Sequence, residues 1–338
     1  MHPSPFAEPL LRAFERRATL LESLAAEGTD CFRLFHGISE GLEGLTVDRY
    51  GGLVLAQTFR EPLEPAAVAR LEEALRAALP WPFAFAYNHR GRKSGEPFEK
   101  WHRPAPEALE EFVCSEGGSR FYIRARHRGI DPWLFLDLRA ARRLLRRTSA
   151  GLSVLNLFSY TCGAGVCAAA GGAAEVWNVD FASSSLEAGR RNAELNGIPA
   201  ARFLLLEEDC LTAARQFSGL PVGGRYGQKR RYRRFEPRAF DLVFLDPPAW
   251  AKGPLSAVDV ARDYPALFKP ALLAARPGGR VIATNHLASA GWEEWTETLR
   301  RCAAKAGRPL KILDRVEPDG DFPSFDGKPP LKVAVCGL

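Results

Sequence analysis

The chain has 338 residues, 46% hydrophobic and 25% charged, the balance of a soluble globular protein long enough for two domains. That composition excludes a mainly disordered chain, a collagen-like fibre and a disulfide-stapled mini-protein, and no apolar run reaches the roughly 18 residues needed to cross a bilayer. The formal charge is +6 and sits in one place: residues 223–240 hold seven of the 46 basic residues and one of the 40 acidic ones, which leaves the rest balanced at 39 of each sign.

Residues 5–26 predict an amphipathic helix, with Leu10, Leu11, Phe14, Leu20, Leu21 and Leu24 near helical spacing and Gly28 as its stop. Short alternating runs at 31–36, 45–50 and 53–59 predict strands separated by glycine turns. A helix over 64–78 and strands over 83–87 and 120–125 complete a small α+β module, taken as residues 1–130. From about 150 strands alternate with helices, the mark of a parallel sheet with helices on its faces. The strands are expected at 153–157, 175–180, 202–206, 241–245, 280–284, 310–316 and 331–336. The helices are expected at 164–170, 183–195, 209–217, 256–276 and 291–306, with Pro265 and Pro270 breaking or kinking the long one. The fold class is therefore α/β: a Rossmann-like, seven-stranded domain over 131–338 behind the smaller N-terminal module. In such a sheet the ligand lies beyond the carboxyl ends of the strands.

Three strand ends carry chemistry. After the first comes Phe158-Ser159-Tyr160-Thr161-Cys162-Gly163-Ala164-Gly165, opening into a helix; the glycines allow a tight turn and close approach of a ligand. Asp180 closes the next strand, where such folds place an acidic residue on a ribose diol. Gly163 to Ala168 also satisfies G-x-G-x-x-A, so a nicotinamide-dependent oxidoreductase is a competing reading. Asp209 ends the third strand, where its carboxylate can accept from an adenine amino group or simply cap a helix. The fourth strand ends in Asp246-Pro247-Pro248-Ala249-Trp250. Here the carboxylate and proline carbonyls form a row of acceptors and the indole offers a flat face, which suits the edge and face of a planar base.

The basic segment interleaves Arg225, Lys229, Arg230, Arg231, Arg233 and Arg234 with Tyr226, Tyr232 and Phe235. Arginine forks suit phosphate oxygens and aromatic rings stack on unpaired bases, so it reads either as a solvated loop or as an RNA-binding segment. The seven cysteines are scattered without a Cys-x-x-Cys pair, which predicts free thiols in a reducing cytoplasm. No basic segment followed by an apolar stretch marks a secretory leader. The six histidines form no metal-ligand pattern, so no metal is expected.

The runs NLFSYTCGAG (156–165), VDFASSSLEAGRRNAELNG (179–197) and FDLVFLDPPAW (240–250) resemble class I S-adenosylmethionine-dependent methyltransferases of bacterial 23S ribosomal RNA. The cytosine-C5 type, built as PUA, middle α+β and catalytic domains, is similar in motif order from about residue 30 onward. FRLFHGISEGLEGLTVDRYGG (32–52) resembles the start of its middle domain and LFLDLRAARRLL (134–145) its Tyr-Leu-Asp-Gln-Arg segment; a helix stands where that family has its PUA domain. The resemblance implies S-adenosylmethionine as cofactor, held by Phe158, Ser159, Gly163, Asp180, Asp209 and Cys210 with Arg139 nearby. It implies a target base of RNA held by Asp246, Pro247 and Trp250 and faced by Asn285 and His286. Cytosine-C5 chemistry needs a thiolate to attack C6, and His286 occupies the position of the family's cysteine. Asn285 and its neighbours are closer to the related guanine-N7 enzymes. Methylation of a nitrogen, more readily on a purine, is therefore favoured over C5; a non-catalytic RNA-binding protein is the remaining alternative.

Overall fold

The computed structural model describes residues 4–91, 96–127, 131–222, 232–252, 257–327 and 329–338. Helix α1 (Ala7–Ala26) buries Leu10, Ala13 and Leu24 along one stripe. Strand β1 (Cys31–His36), the short α2 (Gly37–Glu40), β2 (Leu45–Tyr50), β3 (Leu53–Thr58), α3 (Pro65–Ala78) and β4 (Ala84–His89) follow. β1, β2 and β3 pair antiparallel, and the α3 crossover brings β4 in parallel to β3. Only Gly51 and Gly52 join β2 to β3. A Cβ on Gly51 would stand 2.5 Å from the Val113 carbonyl oxygen, and its φ of +60° belongs to glycine in so short a hairpin. Helices α1 and α3 contribute Leu10, Leu71 and Leu75 to a core with Leu34, Val47, Val54 and Phe85 of the sheet.

Besides the single-turn α2, one strand and one α-helix here were not expected from the sequence. Strand β5 (Glu111–Glu116) pairs antiparallel with β6 (Ser119–Arg124); its charged ends and partly exposed positions give it no clear alternation. Helix α4 (Arg139–Thr148) carries arginine at five of ten positions, which hides the buried stripe of Ala141 and Leu145.

The remaining strands are β7 (Ser153–Leu157), β8 (Glu175–Asp180) and β9 (Phe203–Glu207), separated by α5 (Gly163–Ala170) and α6 (Ser183–Leu195). After α7 (Cys210–Phe217) come β10 (Phe240–Leu245), the hairpin β11 (Trp250–Lys252) and β12 (Ala257–Asp259), and α8 (Val260–Ala274). The chain ends with β13 (Ala275–Asn285), α9 (Trp292–Lys305), β14 (Lys311–Val316) and β15 (Lys332–Gly337). Seven of these form one sheet in the order β14-β15-β13-β10-β7-β8-β9, with β15 antiparallel to its neighbours. This is the Rossmann-like, seven-stranded α/β sheet that the strand–helix alternation predicts. Strands buried on both faces read as continuous apolar runs, which is why they were legible in sequence. The helix expected to start at 256 starts at Val260, because 257–259 pair with 250–252. Its kink falls at Asp263 (φ −122°, ψ 21°), two residues before Pro265.

The chain divides into two compact units, Met1–Arg139 with Pro318–Lys328, and Ala140–Glu317 with Pro329–Leu338. The division after Arg139 differs from the expected boundary at 130/131, and the return of 318–328 to the first unit was not foreseen. Buried charge explains both. The Arg139 guanidinium donates to Asp319 at 2.6 Å, to Asp321, and to the Cys31 carbonyl at 3.1 Å. The side chains of Arg139 and Asp321 are 1% and 0% exposed. Burial works against the charge on Arg139, and the two carboxylates outweigh it. The second oxygen of Asp321 accepts the Arg33 backbone N–H at 2.9 Å, and Arg33 in turn grips Asp48 through two bonds of 2.7 and 3.0 Å.

Removing one partner of a buried pair strands the other charge, at a cost of about 3–5 kcal/mol. Asp321→Ala is therefore expected to lower the unfolding free energy by that amount in urea. The double variant Arg139→Met/Asp321→Ala should lose less than the two single costs combined; strictly additive losses would refute the coupling.

Candidate active site

β7 and β10 are parallel neighbours, with Leu157 opposite Leu245. The chain continues from β7 toward β8 and β9 on one side and from β10 toward β13 on the other. The loops leaving their carboxyl ends therefore part company at a topological switch point, the place where open α/β sheets bind ligands.

The loop after β7 turns back on itself at once. Phe158, Tyr160 and Cys162 have φ of +60°, +49° and +61°, a left-handed conformation that costs each non-glycine residue about 1–3 kcal/mol. Backbone donors hold it. Phe158 N–H donates to Cys210 Sγ at 3.3 Å, Ser159 N–H to the Val179 carbonyl at 3.0 Å, and Tyr160 N–H to Asp180 Oδ2 at 2.9 Å. Close packing completes the turn: a Cβ on Gly165 would lie 2.0 Å from Asn178 Oδ1, and one on Gly189 2.4 Å from Cys162 Sγ.

Asp180, at the tip of β8, accepts from Tyr160 on one oxygen and from Ala182 N–H at 2.9 Å on the other. Burial pushes its carboxyl up, and the N–H groups of Ala182, Tyr160 and Phe181 partly offset this. Asp209 is 3% exposed and caps α7 by accepting from Thr212 N–H at 2.9 Å. Cys210 lies beneath the first loop: its thiol donates to the Val179 carbonyl at 3.2 Å, and burial raises its pKa well above the ordinary thiol value.

Beyond β10, Pro247 is buried, while Pro248, Ala249 and Trp250 are exposed. The indole of Trp250 is 66% exposed at the base of the β11–β12 hairpin. Asp246 is the centre of this side. Its Oδ1 accepts from the Thr284 hydroxyl and lies 2.8 Å from His286 Nε2. A carboxylate only accepts, so Nε2 carries the hydrogen. Tyr264 of α8 donates from its hydroxyl to the Thr284 carbonyl at 2.6 Å and braces the end of β13.

Most of the sequence-predicted residues thus fall into two sets. Phe158, Ser159, Gly163, Asp180, Asp209 and Cys210 share the loops after β7, β8 and β9; Asp246, Pro247, Trp250 and His286 share the ends of β10 and β13. Asn285 is 2% exposed and its side-chain Oδ1 accepts Leu287 N–H at 2.9 Å, so it caps the strand end rather than facing a base. Arg139 belongs to the first unit, where three of its donors are spent on Asp319, Asp321 and Cys31. It anchors the 318–328 segment in place of the cofactor contact that the resemblance implies. Arg225, Lys229, Arg230 and Arg231 lie outside the described residues. Arg233 and Arg234 are exposed, and Arg233 N–H donates to Glu208 Oε2 at 2.7 Å, which ties their segment to the loop after β9. Sequence reasoning missed Thr284, whose role depends on the pairing of β10 with β13, and Tyr264, which reaches the site from a helix. Among the described residues no cluster of His, Cys, Asp and Glu could hold a metal ion, and no helix is long and apolar enough to cross a membrane.

Comparison with known proteins agrees with this geometry. Residues 32–336 match the S-adenosylmethionine-dependent methyltransferase family. A ribosomal RNA large subunit methyltransferase of Deinococcus radiodurans is 30% identical over 317 residues, 91% of this chain and 72% of that protein. The ribosomal RNA large subunit methyltransferase K/L of Shewanella pealeana is 31% identical over 293 residues, 83% of this chain; the chain spans only 37% of that relative's length. Among solved structures, the methyltransferase SMU.776 in complex with SAH superimposes with a TM-score of 0.80 at 23% identity, covering 100% of this chain and 82% of that one. The family match sets aside the nicotinamide reading of the Gly163–Ala168 run. The chain belongs to the S-adenosylmethionine-dependent methyltransferases, and its curated relatives act on large-subunit ribosomal RNA.

Proposed function

We propose that this enzyme methylates a nitrogen of a base in large-subunit ribosomal RNA. The observation that carries the choice of nitrogen over cytosine C5 is the make-up of the β13 end. Thr284 and His286 are there with Asp246, and all seven cysteines of the chain are buried. Cys336 sits within β15 with its thiol pushed up to about 12 by burial, and Cys302 on α9 is also raised by burial. Attack on C6 needs an accessible thiolate. Nitrogen methylation needs only a positioned lone pair.

The residues present fit the cofactor. When bound, S-adenosylmethionine supplies a methyl group on a positively charged sulfur. Asp180 keeps acceptor capacity beyond its backbone bonds for a ribose diol, Asp209 offers a second carboxylate, and the strained Phe158–Gly163 turn sets its backbone before any ligand arrives. The base stacks on Trp250, and Asp246 Oδ2 and the Pro247 carbonyl accept from its edge. Arg233 and Arg234, with the arginines preceding them, hold the RNA backbone.

Three measurements test this reading. Asp180→Asn removes charge from bonds worth about 1.5–3 kcal/mol each, so calorimetry should show S-adenosylmethionine binding at least tenfold weaker with the circular dichroism spectrum unchanged; equal affinity would remove Asp180 from the cofactor site. Arg233→Ala/Arg234→Ala should flatten the salt dependence of RNA affinity by about 1.4 in logarithmic slope, at roughly 0.7 per single-strand phosphate, and leave cofactor binding intact. An identical slope would mean that these arginines are only solvated. Transfer of labelled methyl to ribosomal RNA followed by nucleoside mass spectrometry should return an N-methylated base. Cys302→Ala and Cys336→Ala should stay within a few-fold of the parent rate, and 5-fluorocytidine RNA should form no covalent adduct. A trapped cysteine adduct would restore the C5 reading, and RNA binding without any methyl transfer would leave a binding protein.

A further inference from the structure

The connection between α7 and β10 carries the charge excess of the chain, and both of its ends return to the last turn of α7. Arg215 donates from Nε and Nη2 to the Pro221 carbonyl at 2.9 and 2.7 Å. The Gln216 carboxamide donates to the Arg233 carbonyl at 3.0 Å and accepts the Phe235 N–H at 2.9 Å. The Phe217 carbonyl accepts the Arg238 N–H at 2.9 Å. Three consecutive residues at one helix end thus close both feet of the connection. From the loop after β9, Glu208 joins them: its Oε2 accepts the Arg233 N–H at 2.7 Å, while its Oε1 accepts the Asp209 N–H at 2.9 Å.

A side-chain amide that takes the carbonyl of one residue and the N–H of the next but one pins the main chain on both sides of the residue between, here Arg234. Phe235 adds a ring contact with Phe217, centroids 5.1 Å apart, and the Arg233 guanidinium lies 5.3 Å over the Phe235 ring. The arginines divide by what they do. Arg238 is spent on Glu175 and on the Trp177 ring, 4.6 Å from its guanidinium. Arg233 and Arg234 are exposed, and among the described residues neither guanidinium has an ion pair. We propose that Gln216 and Glu208 are positioning residues for RNA: they set the 233–235 tract before RNA arrives, so that Arg233 and Arg234 meet the phosphates of a single strand beside the loop that carries Asp209. This rests on the RNA-binding reading above and deepens it, since the tail of the basic segment becomes a pre-ordered grip. An untethered segment must lose backbone freedom when it binds; here the bonds to Glu208 and Gln216 have removed that freedom in the free protein. A carboxylate beside phosphate-binding arginines weakens RNA binding by its charge, and helps only through the main chain it holds.

Tethers and phosphate contacts leave different signatures when affinity for a labelled large-subunit ribosomal RNA transcript is measured against salt. Loss of a phosphate contact flattens the slope; loss of a tether weakens binding at every salt concentration and leaves the slope. Gln216→Met keeps the length and helix propensity of the side chain without its amide. It should bind RNA about tenfold more weakly, the effect of freeing one residue's backbone, with the parent slope and the parent affinity for S-adenosylmethionine. Glu208→Ala removes a negative charge, which by electrostatics alone tightens RNA binding; loss of the tether makes it weaker instead. Hydrogen exchange of the full chain should show the Phe235 amide losing protection in Gln216→Met and regaining it with RNA bound. The inference is overturned by parent RNA affinity in Gln216→Met, by a joint loss of cofactor affinity there, by a slope that falls as in Arg233→Ala/Arg234→Ala, or by unchanged or tighter binding in Glu208→Ala. Each of these leaves the RNA-binding reading standing. A parent slope in Arg233→Ala/Arg234→Ala would instead remove that reading.

Discussion

The parting of the chain on either side of the β7–β10 pair governs everything else in the second unit. Up to Leu157 and Leu245 the two strands share a regular parallel ladder. The next rung, from Asp246 N–H to the Leu157 carbonyl, has stretched to 3.4 Å. Beyond it no strand can carry the ladder on, because the successors of β7 and β10 lie on opposite sides. Backbone groups at a dead end must find other partners or bear the cost of burial. Phe158, Ser159 and Tyr160 find theirs in Cys210, Val179 and Asp180. Asp180 is therefore an anchor for the loop before it is a ligand for anything. A left-handed turn of three non-glycine residues persists because those bonds over-determine it, and a loop held that way meets its cofactor already ordered.

Legibility in the sequence follows the same physics. β7, β8, β9 and β10 could be placed within a residue, whereas β13 begins at Ala275, five residues before its expected start, and the loops at the strand ends could be named as the candidate site. What could not be read depended on neighbours distant in sequence. Asn285 and His286 are adjacent, yet one is buried as a strand cap and the other bonds Asp246; only the alternation of β13 relative to β10 separates them. The β11–β12 hairpin took the place of a first helical turn because residues 257–259 found a strand partner five to nine residues back, a contact that helical periodicity cannot anticipate. Arg139 carried the resemblance's implication of a cofactor contact, and nothing local to it foretold Asp319 and Asp321, 180 and 182 residues away.

That last pairing also explains why the first unit is not continuous in sequence. Arg139, Arg33 and Arg17 are three cations with little or no exposure, and such groups are tolerated only when their charges and donors are matched. Glu40 and Asp48 serve Arg17 and Arg33 from nearby in the chain. Arg139 feels Glu116 only through space, and the carboxylates that hydrogen-bond it, Asp319 and Asp321, come from the segment between β14 and β15. The insertion 318–328 is thus required by the first unit's electrostatics, although the strands on both sides of it belong to the second unit's sheet.

The same accounting of donors and acceptors bears on whether His286 could replace the missing cysteine as a nucleophile. Addition to C6 of a pyrimidine needs an unshared pair on the attacking atom. Nε2 of His286 is committed as a donor to Asp246 Oδ1, since an ionised carboxylate 2.8 Å away would repel a bare nitrogen. Nε2 could take part only by giving up the bond that, with Thr284, fixes the carboxylate; in this tautomer the unshared pair of the ring sits on Nδ1. The thiols offer no substitute: Cys162 and Cys210 are buried packing groups whose protonated forms burial favours strongly. With Nε2 of His286 holding a carboxylate that can only accept, the geometry supports the proposed nitrogen chemistry, in which the base brings its own nucleophile.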